Sequence, residues 1–173
     1  MRLSEYTDYT LRVLMYCAAH RQRRVTIGEL AEHHGVSKNH LMKVVNDLAH
    51  QGLIETTRGR GGGLRLLKEP GAIRIGDVVR ASETDFRLVE CFDARTNLCS
   101  LTPGCRLKHV FADALQAYFK ALDATTLADV STGAAPSPRR RAAGTTGREP
   151  VPAVAISAPG RRPRPAKAAA PGR

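Results

Sequence analysis

Between Thr26 and Gly63 the chain alternates helix-starting and helix-ending signals at intervals that leave room only for two short helices and a hairpin. Thr26 and Glu29 form a Thr-x-x-Glu capping box. The helix it opens places Ile27, Leu30 and Ala31 on one face and stops at Gly35, a residue free to take the left-handed conformation of a tight turn. Ser37 then caps a second helix, Lys38 to about Gln51, whose apolar face is Leu41, Val44, Val45 and Leu48, and Gly52 closes it. Two short helices joined by a glycine turn predict a helix-turn-helix.

In that arrangement the first residues of the second helix face the major groove. Here they are Ser37, Lys38, Asn39 and His40, with Lys43 one turn on. All can donate to phosphates or base edges, and Asn39 suits adenine. Leu53–Glu55 and Leu64–Leu67 read as a pair of strands around the run Arg58–Gly63, which makes the whole a winged helix. Glycines let a phosphate backbone approach, and Arg58, Arg60 and Arg65 supply charge for phosphates or the minor groove. The run lacks the Gly-Lys-Ser/Thr ending of a nucleotide-binding loop and the spacing of a dinucleotide fold.

Upstream, Tyr6 to about His20 predicts a helix with Leu11, Leu14, Cys17 and Ala18 on one face, followed by the basic turn Arg21–Arg24. Downstream, Ile73 to about Ala81 predicts a short helix, and Glu83–Leu101 a loop. A long helix follows, with Pro103 in its first turn and its end near Asp129. Leu107, Phe111, Leu115, Tyr118 and Leu122 stripe that helix, and Val110 and Phe119 widen the stripe beyond what one small domain covers, as at a dimer interface. The expected fold is mainly α with a small β wing: a winged helix-turn-helix over residues 1–82, then a loop and dimerisation helix over 83–130.

Charge marks off the remainder. Residues 1–130 carry 18 Lys and Arg against 15 Asp and Glu, whereas residues 131–173 carry nine basic residues, one acid and eight of the ten prolines. That tail is expected to be a disordered basic appendage. No stretch approaches the ~20 apolar residues of a membrane helix. The opening residues lack the charged-then-apolar pattern of a secretory signal. A cytoplasmic protein with reduced thiols is expected.

Three of the four cysteines, Cys91, Cys99 and Cys105, cluster within fifteen residues. Their spacing is open to three readings: incidental thiols, a zinc site completed by His109, or an iron–sulfur cluster wrapped by a flexible loop. Cys17, on the apolar face of the first helix, reads as a core residue. Only His109 and Asp93 neighbour the cysteines as acid/base groups, so an enzyme is not expected.

The segments Tyr6–Arg12 (YTDYTLR), Val36–Val45 (VSKNHLMKVV), Arg58–Leu66 (RGRGGGLRL), Ile73–Val79 (IRIGDVV), Thr102–Lys108 (TPGCRLK) and Thr126–Val130 (TLADV) together resemble the winged-helix iron–sulfur transcriptional regulators, in the branch that represses nitric oxide detoxification genes. The resemblance covers about three-quarters of the chain and stops before the tail. It implies a homodimer on an inverted-repeat operator, with nitric oxide as the signal. It also implies one [4Fe–4S] cluster per subunit on Cys91, Cys99 and Cys105, with Asp8 of the other subunit as fourth ligand. Asp8 precedes Arg12 by four residues, on the same helix face. Loss of the iron–Asp8 bond is therefore expected to release Arg12 and tilt the DNA-reading helices. Relatives with a [2Fe–2S] site need a histidine three residues after the last cysteine, where this chain has Lys108. Iron-responsive relatives have asparagine at the position of Asp8.

Overall fold

The computed structural model describes residues 2–131, so the expectation for the basic tail lies outside the described residues beyond Ser131. The chain forms α1 (Glu5–Ala19), α2 (Ile27–His34), α3 (Lys38–His50), the strands β1 (Ile54–Thr57) and β2 (Gly63–Leu66), α4 (Ile75–Ser82), α5 (Arg106–Asp123) and α6 (Leu127–Ser131).

Local chemistry sets the first three helices. Ser4 caps α1 by accepting from Thr7 N–H, Thr26 caps α2 by accepting from Glu29 N–H at 3.1 Å, and Ser37 caps α3 by accepting from His40 N–H at 3.3 Å. Gly35 ends α2 at φ 66° and Gly52 follows α3 at the same angle. Glu29 does more than cap. It also accepts from Tyr16 Oη at 2.7 Å and pairs with Arg23, and that arginine holds its carboxyl at about 2.

The core gathers one face from each helix. Val13, Leu14 and Cys17 of α1, Leu30 of α2, and Leu41, Val44, Val45 and Leu48 of α3 are buried together with Val25, Ile54, Leu64, Ile73, Val78 and Val79. Leu127 of α6, from beyond the cysteine loop, is fully buried in the same core.

β1 and β2 pair antiparallel with Glu55 opposite Arg65 and Thr57 opposite Gly63. Val25 adds a bridge to Leu64, N–H to carbonyl both ways at 2.9 and 2.8 Å, which fastens the wing to the connection between α1 and α2.

Two expectations for the second half change. Pro103 lies in a 3₁₀ turn, Thr102–Gly104, and α5 starts only at Arg106. The long helix also breaks at Ala124–Thr126 instead of running to Asp129. There Ile75 N–H donates to the Thr125 carbonyl at 3.0 Å and Leu127 N–H to the Ile73 carbonyl at 2.8 Å. Those cross-chain bonds take backbone groups that a continuous helix would use internally. None of the described helices is long and apolar enough to cross a membrane.

Candidate nucleic-acid interface and metal-ligating loop

α3 buries Leu41, Val44, Val45 and Leu48, and the same 3.6-residue period turns Lys38, Asn39, His40 and Lys43 outward, where all four are exposed. Ser37 is exposed beside them, its oxygen occupied by the cap and its O–H still available to donate. Lys43 Nζ lies 5.7 Å from the Tyr6 ring centroid, and the Tyr6 hydroxyl donates to Asp47. The α1 N-terminus is thereby tied to the recognition helix.

The wing tip is glycine-built. Gly59 and Gly61 have φ of 93° and 77°, and Arg58 and Arg60, the residues before each, stand exposed without a carboxylate partner among the described residues. Arg65 differs. Its Nε donates to Glu55 Oε2 at 2.6 Å across the strand pair, and Arg24 reaches the same oxygen at 3.2 Å. The arginines hold the Glu55 carboxyl below its ordinary range, Arg65 first among them. The basic turn before α2 is engaged in the same way: Arg21 pairs with Glu69, Arg23 with Glu29 and Arg24 with Glu55. The charge left facing outward belongs to Lys38, Lys43, Arg58 and Arg60.

Cys91 sits in a 3₁₀ turn (Glu90–Phe92), Cys99 in the following loop, and Cys105 is the residue before α5. All three are unpaired and half-buried. Cys17 is only 1 % exposed among the core side chains, and burial pushes its thiol up to about 12. Sequence reasoning missed the residues that stitch the loop. The Glu90 carboxylate accepts from Leu98 N–H, joining the turn of Cys91 to that of Cys99. Asn97 Oδ1 accepts from Cys99 N–H at 3.1 Å, its Nδ2 donates to Thr102 Oγ1 at 2.9 Å, and the Thr102 hydroxyl donates to the Cys99 carbonyl at 2.8 Å. The sequence signal was an asparagine two residues before a cysteine, the spacing of an Asx turn. Asp93 pins the outer side by accepting from Arg87 at 2.8 Å and Arg95 at 3.3 Å.

Among the described residues, no group of three or more His, Cys, Asp or Glu side chains is gathered tightly enough to hold a single metal ion. Asp8 therefore does not join the three cysteines within one chain, and His109, exposed in the first turn of α5, does not complete a zinc set. Asp8 instead pairs with Arg12, Oδ2 to Nη2 at 2.6 Å, one turn apart on α1 and both about half exposed. The pair is felt at the end of α2. Burial, then His33 and Arg12, hold the His34 imidazole down at about 4, with Asp8 opposing, and His34 is the last residue before the Gly35 turn.

With this geometry in place, comparison with known proteins is decisive about kinship. Residues 3–133 match the Rrf2 family, described as iron-dependent transcriptional regulators. The chain is 53 % identical over 131 residues to the HTH-type transcriptional regulator NsrR of Bacillus subtilis, covering 75 % of this chain and 90 % of that protein. Against its namesake in Bacillus licheniformis the identity is 50 %, over 75 % and 92 %. Among solved structures, T. potens IscR superposes with a TM-score of 0.60 at 26 % identity, over 76 % of this chain and 87 % of that one. The chain therefore belongs to the Rrf2 family of winged-helix transcriptional regulators, not to a family of enzymes.

Proposed function

We propose that the protein is a homodimeric repressor that holds a [4Fe–4S] cluster, binds an inverted-repeat operator while the cluster is intact, and lets go when nitric oxide attacks it. The observation that carries this reading is the union, in one chain, of an outward-facing recognition helix with three free thiols on a loop already stitched by Glu90, Asn97 and Thr102. The donor set fits such a cluster. Three free, half-buried thiols lie on one loop, and an oxygen donor from a second chain would complete four ligands.

Cys91, Cys99 and Cys105 would hold the cluster with Asp8 of the partner subunit as fourth ligand. When bound, the cluster supplies iron that reacts with nitric oxide, most readily at the iron held by a carboxylate, a harder ligand than thiolate. Asp8 has two competing partners, iron and Arg12. The second of these is seen directly, as the 2.6 Å ion pair. Asp8 bound to iron would be drawn away from Arg12, so on the pairing seen here loss of the iron–Asp8 bond would re-form the ion pair, the reverse of the release expected from the sequence. Arg12 acts on the charge balance at His34, beside the turn that sets α3 relative to α2. The expected coupling is a few kcal/mol, about tenfold in operator affinity per 1.4 kcal/mol. Asp8→Ala should weaken operator binding by the protein isolated under anaerobic conditions at least tenfold and alter the nitric oxide dose for release, both read by fluorescence anisotropy of labelled operator. Full affinity together with an unchanged dose would remove Asp8 from the switch.

α5 supports the dimer. Leu107 is 56 % exposed and Val110 58 %, and with the exposed Ala114, Ala117 and Ala121 they recur at alternating three- and four-residue spacing, the seam of paired helices. Phe111, Leu115, Tyr118 and Leu122 of the expected stripe are half-buried.

Base reading is assigned to Ser37, Lys38, Asn39 and His40, and phosphate or minor-groove contact to Lys43, Arg58, Arg60 and Arg65. Arg58→Ala and Arg60→Ala should each lower operator affinity about tenfold and reduce the slope of log affinity against log salt by about 1. Arg65→Ala should do less, since Glu55 already holds that guanidinium. An equal effect would mean that Glu55 yields Arg65 to phosphate.

The family description, iron-dependent regulation, favours a second reading in which iron supply itself is the signal. Anaerobic isolation separates the readings. A brown protein with about four iron and four sulfide per chain that releases operator with nitric oxide supports the first. Release by an iron chelator but not by nitric oxide supports the second, and a colourless protein with one zinc per chain contradicts both.

A further inference from the structure

The exposed seam of α5 has an opposite side, and that side is not flat. Residues Lys108, Ala112, Leu115 and Phe119 lie half a turn away from Val110, Ala114 and Ala121. They face a cavity of about 950 Å³ between α5, α4 and the turn that carries Phe92. The seam and this cavity lie on different sides of α5.

The floor is Phe92, Ala112, Leu115 and Phe119. The rim holds Arg74, Arg80, Lys108 and Lys120 against one acid, Asp123. That acid is already engaged: both its carboxylate oxygens accept from Arg80, at 2.6 and 2.7 Å, and its backbone carbonyl accepts from Arg74 Nη1 at 3.1 Å. Arg80 also lies 4.3 Å over the Phe119 ring, so it forms part of the wall. Arg74 and Lys120 at one end of the rim, and Lys108 at the other, have no ion-pair partner among the described residues, above an apolar floor.

We propose that this cavity binds a small organic anion with an apolar body, an alkyl or aryl carboxylate. The carboxylate lies at the Arg74–Lys120 end and the body runs over Phe119, Leu115 and Ala112 toward Phe92. From Lys120 to Ala112 is about 12 Å along α5, the span of a medium-length alkyl chain. A largely apolar concavity with a few convergent charged groups at one end is the usual form of a small-ligand site. The occupant would touch Phe92, the residue next to Cys91, and so reach the cysteine loop from the side away from the dimer seam.

Calorimetric titration of the full-length protein, isolated under anaerobic conditions, with decanoate and with decanol tests this. Decanoate should bind once per chain and at least tenfold more tightly than decanol. Lys120→Glu should abolish that preference while leaving decanol binding in place, and Ala112→Trp should block both ligands without changing the oligomeric state seen by light scattering. Equal binding of the two ligands, no saturable binding, or a Lys120→Glu protein that still prefers the carboxylate would overturn the proposal. So would dissociation of the dimer by Ala112→Trp, which would make the cavity an interface between copies. Lys120 lies on the rim, so its variant keeps the test open even where tryptophan disturbs the fold. Failure of this site leaves the repressor reading untouched.

Discussion

Replacing any one of Cys91, Cys99 and Cys105 by alanine is expected to give a colourless protein that melts close to the wild type yet binds operator at least tenfold more weakly. The two halves of this result have separate causes. The melting temperature survives because the cysteine loop contributes little to the core. From Arg80 to Thr126 no side chain is fully buried, and Leu98 in the middle of the loop is 91 % exposed. The core runs instead through α1 to α4 and Leu127. Colour and affinity are expected to be lost because a missing thiolate removes one of the three soft-donor bonds to iron, for which the hard carboxylate of Asp8 is no substitute, and because the proposed repressor binds DNA only with its cluster in place. Cys17→Ser is the internal contrast. A hydroxyl placed at a 1 % exposed apolar position should cost about 1–3 kcal/mol of stability while leaving colour and operator affinity per folded molecule intact. Visible absorbance, iron analysis, thermal melting and operator anisotropy on the four variants give the matrix. A Cys99→Ala protein that keeps both colour and affinity would take that thiol out of the site.

Gly63→Ala should cost about 2–4 kcal/mol. Gly63 has φ of 152°, and a Cβ there would stand 2.7 Å from the Val25 carbonyl oxygen and 3.1 Å from Arg24 Cβ. Neither obstacle is the loose end of a side chain. Val25 is held by its two-way bridge to Leu64, so relief of the clash breaks the fastening between the wing and the helix-turn-helix. For a domain of this size the loss corresponds to roughly 10 °C in melting temperature, and operator affinity should fall as the wing loosens. Gly35→Ala is the control for backbone conformation without crowding. Its φ is 66°, but nothing lies within 4 Å of a Cβ placed there, and a cost near 1 kcal/mol is expected. If calorimetry finds Gly63→Ala no worse than Gly35→Ala, close approach to Val25 is not what requires glycine.

The contrast between these glycines also shows what the sequence reveals. Gly35 was legible because capping and helix termination are local: Thr26, Glu29, Gly35, Ser37 and Gly52 punctuate the helices they adjoin, and the structure places each in the role its type suggests. The Asp8–Arg12 pair was legible for the same reason, since four residues is one turn of α1. Gly63 read only as one of a run, because the crowding comes from Val25, nearly forty residues earlier. The end of α5 was hidden likewise. Periodicity continues past Asp123, but Ile73 and Ile75 claim the backbone around Thr125 and Leu127. Composition groups the arginines together, whereas cross-strand register with Glu55 sets Arg65 apart from Arg58 and Arg60. The clamps of the cysteine loop lie in a segment without periodicity, where only the Asn97–Cys99 spacing carried a local signal.

The central claim is that one chemical event at the cysteine loop is the event that frees the operator. It is tested most directly by adding nitric oxide stepwise, without oxygen, to the brown protein bound to fluorescent operator, while visible absorbance and anisotropy are followed in the same cuvette. The expected result is that the two signals fall together, with the same midpoint in nitric oxide per cluster, and that an Asp8→Ala protein shifts both. Absorbance that collapses while the operator stays bound, or operator released while absorbance holds, would contradict it.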